Sequence, residues 1–115
     1  MKNFDIIIVG GGASGSVLAC MLAKNGARIC VFDKNENIAK KLLVTGNGKC
    51  NLTNKNLSSE FYNQNIDDFL KFGTADTTQF FKTIGLETYF DQAGRCYPIS
   101  NTAKSVVAVI ENQFK

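Results

Sequence analysis

Hydrophobic and polar positions alternate in rhythms that change along the chain. Ile6 to Val9 is an unbroken β-branched run, as expected for a short strand covered on both faces in a parallel sheet. From Ser14 to Lys24 the rhythm becomes helical. Val17, Leu18, Met21 and Leu22 recur at that spacing, and Gly26 stands where a left-handed residue ends a helix. Ile29 to Phe32 then repeats the first rhythm. A strand, a helix and a strand of these lengths predict a right-handed crossover with the two strands parallel.

Past Phe32 the pattern loosens. Asn35 to Lys41 is polar, with a short helix expected there, and Lys41 to Asn54 reads as a loop rich in glycine and asparagine. Asn54 to Asn65 reads as irregular. Short helices are expected over Asp67 to Phe72 and from about Asp76 to Ile84, the second capped by Thr74 or Asp76 and stopped by Gly85. Leu86 to Phe90 and Cys96 to Ile99 predict a hairpin across Asp91–Gly94. A last helix is expected from Ser100 or Asn101, next to Pro98, with Ala103, Val106, Val107, Ile110 and Phe114 as its apolar stripe. No repeat, low-complexity tract or linker divides residues 1–115, so they read as a single domain.

The junction of the first strand and helix carries the chemistry. Gly10-x-Gly12-x-x-Gly15 lies there, and Asp33 closes the second strand. A strand, these glycines, a helix and an acid about 20 residues on form the fingerprint of a dinucleotide-binding βαβ unit. Gly10 permits the tight turn, Gly12 lets a pyrophosphate lie against the backbone, and Gly15 lets the helix pack close to the strand. The helix start offers N–H groups and the positive end of its dipole to phosphate. Asp33 can accept hydrogen bonds from the adenosine ribose and would repel a ribose phosphate. The fold class is thus α/β: a Rossmann-like FAD/NAD(P)-binding βαβ unit with added helices and a β-hairpin. Such a unit needs a third parallel strand, and no strand is legible after the last helix. The domain is therefore expected to be the incomplete N-terminal part of a longer protein. The alternative is a whole small domain whose hairpin completes the sheet.

Composition narrows the chemistry. A hydrophobic share of 44% and a charged share of 20% fit an ordinary soluble domain. The net charge of +3 is spread along the chain, with no basic run longer than Lys40-Lys41, which argues against a dedicated nucleic-acid surface. With no histidine in the chain, a His triad or a His metal site is excluded within it. Cys20, Cys30, Cys50 and Cys96 form no CxxC pair, so zinc-ribbon and thioredoxin chemistry are not suggested. Cys20 and Cys30 read as small buried hydrophobes. Reduced thiols point to the cytoplasm. No signal-peptide pattern and no apolar run of membrane-spanning length is present.

Thr45-Gly-Asn-Gly-Lys-Cys-Asn51 is the second motif. Gly46 and Gly48 allow close backbone approach, and successive N–H groups there are candidates to cradle an anion. Lys49 adds a charge suited to a phosphate or a reduced flavin, and Asn47 and Asn51 both donate and accept. On composition alone a solvated surface turn is slightly the better reading.

With the glycine fingerprint, the stretch Lys40 to Asn54 resembles the hallmark of a bacterial flavoprotein family. Its members are described as FAD-dependent oxidoreductases, aminoacetone-oxidase-like proteins or flavoproteins of unknown substrate. Gly94-Arg-Cys-Tyr-Pro-Ile-Ser100 resembles the family's Gly-Arg-x-Phe-Pro segment. The resemblance implies FAD as the cofactor, with NAD(P) as a candidate electron donor to the full-length protein. It implies that Gly10, Gly12, Ala13, Ser14 and Gly15 meet the pyrophosphate, that Asp33 and Lys34 lie near the adenosine, and that Lys41 and Thr45 to Asn51 follow the phosphates toward the flavin. That set includes Thr45, Gly46, Asn47, Gly48, Lys49, Cys50 and Asn51. The family often has arginine where this chain has Lys49, which keeps the charge but loses the planar fork. Family members are several times longer, with a separate substrate domain, so this chain is expected to hold the adenylate half of the cofactor.

Three functions follow. The first is the FAD-binding part of an oxidoreductase acting on an unknown small molecule, inactive as an isolated chain. The second is a fragment of an NAD-dependent dehydrogenase. The third is a non-catalytic adenine-nucleotide module. No catalytic acid or base is assigned. Cys50 is read as packing rather than as a redox partner, and Arg95 as solvated rather than as a substrate contact. Exposed apolar surface on the last helix and at the sheet edge is expected to drive self-association.

Overall fold

The computed structural model describes residues 1–72 and 76–115, so the alternative helix cap Thr74 lies outside the described residues. The elements run β1 (Ile6–Val9), α1 (Ala13–Lys24), β2 (Ile29–Phe32), a 3₁₀ segment (Lys40–Gly48), a 3₁₀ turn (Ser59–Phe61), α2 (Asp67–Phe72), α3 (Thr77–Thr83), β3 (Thr88–Phe90), β4 (Cys96–Pro98) and α4 (Ala103–Asn112). β1 and β2 pair in parallel from Ile6↔Ile29 to Val9↔Phe32, as the sequence predicts. Arg28 locks the start of this pair: its guanidinium meets both carboxylate oxygens of Asp5, at 2.8 and 3.1 Å. The ion pair is exposed and adds little stability; it sets register.

Burial departs from the expected pattern in several places. The strands are not covered on both faces. Ile6 and Ile8 turn inward, while Ile7, Val9 and Phe32 are 60%, 87% and 59% exposed. In α1 the buried residues are Ser16, Ala19 and Cys20, and the larger Leu18 and Met21 are exposed. The close approach of α1 to β1 is made at Gly15, and the buried positions behind it carry small side chains.

The core is mostly helical. Cys20, Ala39, Cys50, Phe81, Ile84, Leu86, Ala103, Val106, Val107 and Ile110 form one cluster, so α1, the 3₁₀ segment, α3 and α4 meet in it. The stripe of α4 therefore has its partner within this chain, against expectation. Only Phe114 is left outside it, exposed. Cys30 is half-buried rather than buried. The chain exposes 7974 Å², against about 6200 Å² for a folded monomer of its mass. The uncovered sheet face contributes to that excess.

Other boundaries shift modestly. The helix expected before Lys41 instead begins at Lys40, after a bend. α4 begins at Ala103 rather than Ser100, because Asn101 takes a left-handed φ of 55° and Thr102 supplies the cap. Asp76 caps α3, accepting from the Thr78 and Gln79 N–H groups at 3.1 and 3.2 Å. β3 and β4 form the predicted hairpin, trimmed to Thr88–Phe90 and Cys96–Pro98. Residues 52–55, read as loop, run beside it: the Leu52 N–H donates to the Cys96 carbonyl and the Cys96 N–H to the Thr53 carbonyl, both at 2.9 Å. Among the described residues, no helix is long and apolar enough to cross a membrane.

Candidate dinucleotide site

At the carboxyl ends of β1 and β2 the chain turns sharply. Gly10 has φ of 103° and its N–H donates to the Phe32 carbonyl at 2.7 Å, so the turn begins inside the sheet ladder. A β-carbon on Gly15 would stand 1.9 Å from the Gly10 carbonyl oxygen. Only glycine allows α1 to start this close to the strand that feeds it. Ser16 is buried behind the turn and its hydroxyl donates to the Gly12 carbonyl at 2.6 Å.

Gly12 is different. Its φ of −72° suits any residue, and a β-carbon there would meet nothing within 4 Å. The fold itself does not require glycine at this position. It is the N-cap of α1, where no side chain caps the helix and no acid stands in the first turn. Ala13 and Ser14 are exposed beside it. The leading N–H groups of a helix have no intrahelical acceptor, so this end presents donors outward.

Asp33 faces the same turn. Its Oδ2 accepts from the Gly11 N–H at 2.7 Å. Its Oδ1 accepts from the Asn35 N–H and side-chain amide, at 2.7 and 3.0 Å. The Asn35 N–H first, and then that of Gly11, hold the carboxyl below the ordinary aspartate range. A carboxylate offers about four acceptor positions. Three donors are in place, which leaves room for one more. An open groove of about 380 Å³ lies alongside, lined by Val9, Gly10, Phe32, Asp33, Lys34 and Asn35. It sits outside the strands' carboxyl ends, where open α/β sheets take ligands.

Gly11, an unassigned position of the fingerprint, is bonded into the same turn. Besides donating to Asp33, its carbonyl accepts from the Ala39 N–H at 2.6 Å. A β-carbon on it would stand 2.8 Å from Ile38 Cγ2. The run of three glycines at 10–12 was the available signal. Through Gly11 the turn is tied to the 3₁₀ segment, where Lys41 is exposed.

Because Asp33 pins Gly11, the pin should respond to pH. The folded carboxyl titrates below its unfolded value, so its contribution is present above the unfolded pKa and lost as pH falls through the folded one. We expect the Gly11 amide resonance to be constant from pH 7 to pH 5. It should then shift with a midpoint below the ordinary aspartate value of about 3.9. A midpoint above that value would remove the Asp33–Gly11 bond from the site.

The second motif folds on itself more than its composition suggests. Gly46 and Asn47 take left-handed φ of 55° and 54°. The Lys49 and Cys50 N–H groups donate to the Gly46 and Thr45 carbonyls at 3.1 and 3.0 Å. Those two donors are therefore not open to an anion. Gly46 is required locally, since a β-carbon would stand 2.5 Å from the Asn51 nitrogen; Gly48 meets a φ of 80°. The Thr45 hydroxyl donates to the Leu42 carbonyl at 2.8 Å. Asn47 and Asn51 are exposed. Cys50 is 1% exposed and unbonded to another cysteine, and burial pushes its thiol up, so it packs rather than reacts.

Two cations converge on Tyr97, in the Gly94–Ser100 segment. Lys49 Nζ lies 5.8 Å from the Tyr97 ring centre and the Arg95 guanidinium 5.9 Å from it. Arg95 also pairs with Asp91, Nε to Oδ2 at 2.8 Å, and is not simply solvated.

Comparison with known proteins accords with this layout. The chain is 38% identical to the 3-dehydro-bile acid delta(4,6)-reductase of Clostridium scindens, over 94% of this chain and 28% of that protein. It is 33% identical to the ribosomal RNA dihydrouridine synthase of Escherichia coli, over 69% of this chain and 20% of that protein. The Haemophilus influenzae ribosomal RNA dihydrouridine synthase is 39% identical over 63% of this chain and 18% of its own length. The chain thus spans less than a third of the length of these relatives. The family model of the HI0933-like protein Rossmann domain matches residues 4–115. That span takes in the glycine turn, the 3₁₀ segment tied to it and the helix packed on both, and it is to this Rossmann-domain family that the chain belongs.

Proposed function

We propose that this chain is the adenylate-binding part of an FAD-dependent oxidoreductase. One observation carries the reading: Gly12 is a glycine that the fold does not need, at an uncapped helix start beside Asp33. A pyrophosphate lying against the backbone explains it. In this reading Gly10, Gly12, Ala13, Ser14 and Gly15 hold the pyrophosphate, Asp33 and Lys34 flank the adenosine, and Lys41 and Thr45 to Asn51 continue toward the flavin. The reductase and dihydrouridine synthase among the relatives support redox chemistry. The flavin, when bound, supplies the electron transfer. The chain's own residues bind and orient it, and Lys49 contributes positive charge.

The substrate is a small molecule, and NAD(P) donates electrons to the full-length protein, which works in the cytoplasm. Residues 1–115 act as one domain. Titration of the chain with FAD, NAD and ADP, followed amide by amide, tests the reading. All three ligands are expected to shift Gly10, Gly12, Gly15 and Asp33, and FAD alone to shift Gly46 to Asn51. Equal effects of FAD and NAD would favour a dehydrogenase, and silence from all three would discard the site.

Self-association belongs to the same proposal, through the sheet face rather than α4. Light scattering is expected to give a mass above 12.6 kDa. Val9→Lys with Phe32→Lys should return it to the monomer value, because charge on an uncovered face opposes pairing. A clean wild-type monomer would rule this out.

A further inference from the structure

A second cleft stands apart from the groove at Asp33 and shares no residue with it. Asn54, Asn56, Leu57, Phe61, Tyr62 and Ala93 line it, and its volume is about 420 Å³, within the range of small-molecule sites. Neither the glycine fingerprint nor the 3₁₀ segment reaches it.

We propose that this cleft binds an uncharged, flat, fused-ring ligand with a carbonyl/N–H edge. The ring lies against Phe61, Tyr62 and Leu57, and the edge meets the amides of Asn54 and Asn56.

Its polar side is built and fixed. Asn54 Oδ1 accepts the Asn56 N–H at 2.9 Å. The backbone of Asn54 bridges to Arg95, and the Lys55 N–H donates to the Gly94 carbonyl at 2.9 Å. Gly94 is buried with φ of 78°, and a β-carbon there would stand 2.8 Å from Asn54 Oδ1 and 3.2 Å from Asn56 Nδ2. Glycine at this position is what leaves room for both amides. Among the described residues, Asn54 Nδ2 and the Asn56 side chain have no hydrogen-bond partner. Two adjacent amides with unused donors and acceptors suit a lactam or imide edge.

The opposite side is apolar. Leu57, Phe61 and Tyr62 are all exposed large hydrophobic residues gathered on one cleft. Exposed apolar surface of this kind marks a binding site, and two aromatic rings favour a flat ligand. Among the described residues, no charged side chain lines the cleft. The neighbouring Lys55 holds its Nζ 4.8 Å from the Phe90 ring centre. An anionic ligand therefore finds no counter-charge, and a neutral one is selected.

The test titrates the full chain with 2-quinolinone, a fused bicyclic lactam, and with quinoline and uridine as comparators. 2-Quinolinone is expected to shift the Asn54 and Asn56 side-chain amides and residues 57–62, and to leave Gly10–Gly15 still. Quinoline, lacking the lactam edge, should bind at least about three-fold more weakly. Phe61→Ala should weaken 2-quinolinone at least about ten-fold with no change in the urea midpoint, since Phe61 is 68% exposed. Asn56→Ala should remove the preference over quinoline. Uridine binding more tightly than 2-quinolinone would assign the cleft to a nucleobase and overturn the proposal. Absence of shifts at the solubility limit, or unchanged affinity in Phe61→Ala, would also overturn it. ADP added to the same sample reads the glycine loop separately, so failure of either site is seen on its own.

Discussion

Gly15→Ala is expected to unfold the start of α1 and abolish adenine-nucleotide binding, while Gly12→Ala costs almost no stability. The two glycines are three residues apart in one motif, and their surroundings differ completely. At Gly15 the added carbon would stand 1.9 Å from a backbone oxygen, which cannot rotate away. Relief requires α1 to move off β1 or its first turn, closed by the Ser16 hydrogen bonds to Gly12, to open. Overpacking of flexible side chains costs about 1–3 kcal/mol. A clash with backbone should exceed that, at about 3 kcal/mol or more. At Gly12 the same carbon enters open space with an ordinary φ, and its effect should appear only in binding, by a factor of about ten or more if a pyrophosphate lies there. Urea midpoints and ADP affinities of both variants measure this. A stable Gly15→Ala would show that the turn yields to a β-carbon, and wild-type affinity in Gly12→Ala would detach the pyrophosphate from this backbone.

Where the sequence was legible, a local rule governed. β1, β2 and the C-terminal stop of α1 fall at their predicted places because β-branched runs and Gly26 specify them without help from the rest of the chain. The capping role of Asp76 and the hairpin were equally local. What could not be read depended on distant packing. The burial of Ser16, Ala19 and Cys20 over Leu18 and Met21 follows from which elements α1 packs against, α4 among them, which no periodicity encodes. The closing of α4 on the 3₁₀ segment depends on Ala39 and Cys50, both in left-handed conformations with φ of 55° and 61°, which non-glycine residues seldom adopt. The same is true of the site. Spacing alone picks out Gly10, Gly12, Gly15 and Asp33 as candidates, whereas the contacts of Gly11 come from Ile38 and Ala39, which fold back onto it.

The helical core makes the second large prediction. Ile110→Ala is expected to destabilise the chain by about 2–5 kcal/mol, the usual range for truncating a buried isoleucine. Ile110 is fully buried in the cluster that joins α4 to α1, α3 and the 3₁₀ segment. A small domain has only about 5–15 kcal/mol in total, and one with an uncovered sheet face belongs toward the lower end. The variant should therefore be substantially unfolded near physiological temperature. Phe114→Ala, one turn further on but exposed, should change stability by less than about 0.5 kcal/mol. Hydrogen exchange distinguishes two ways of failing. If α4 holds the glycine turn and the second motif in one cooperative unit, amides of Ile8, Gly10 and Cys50 lose protection together in Ile110→Ala. If only Cys50 and the helices lose it, the βα turn is stabilised by its own hydrogen bonds, and the nucleotide site stands independently of the core beneath the second motif.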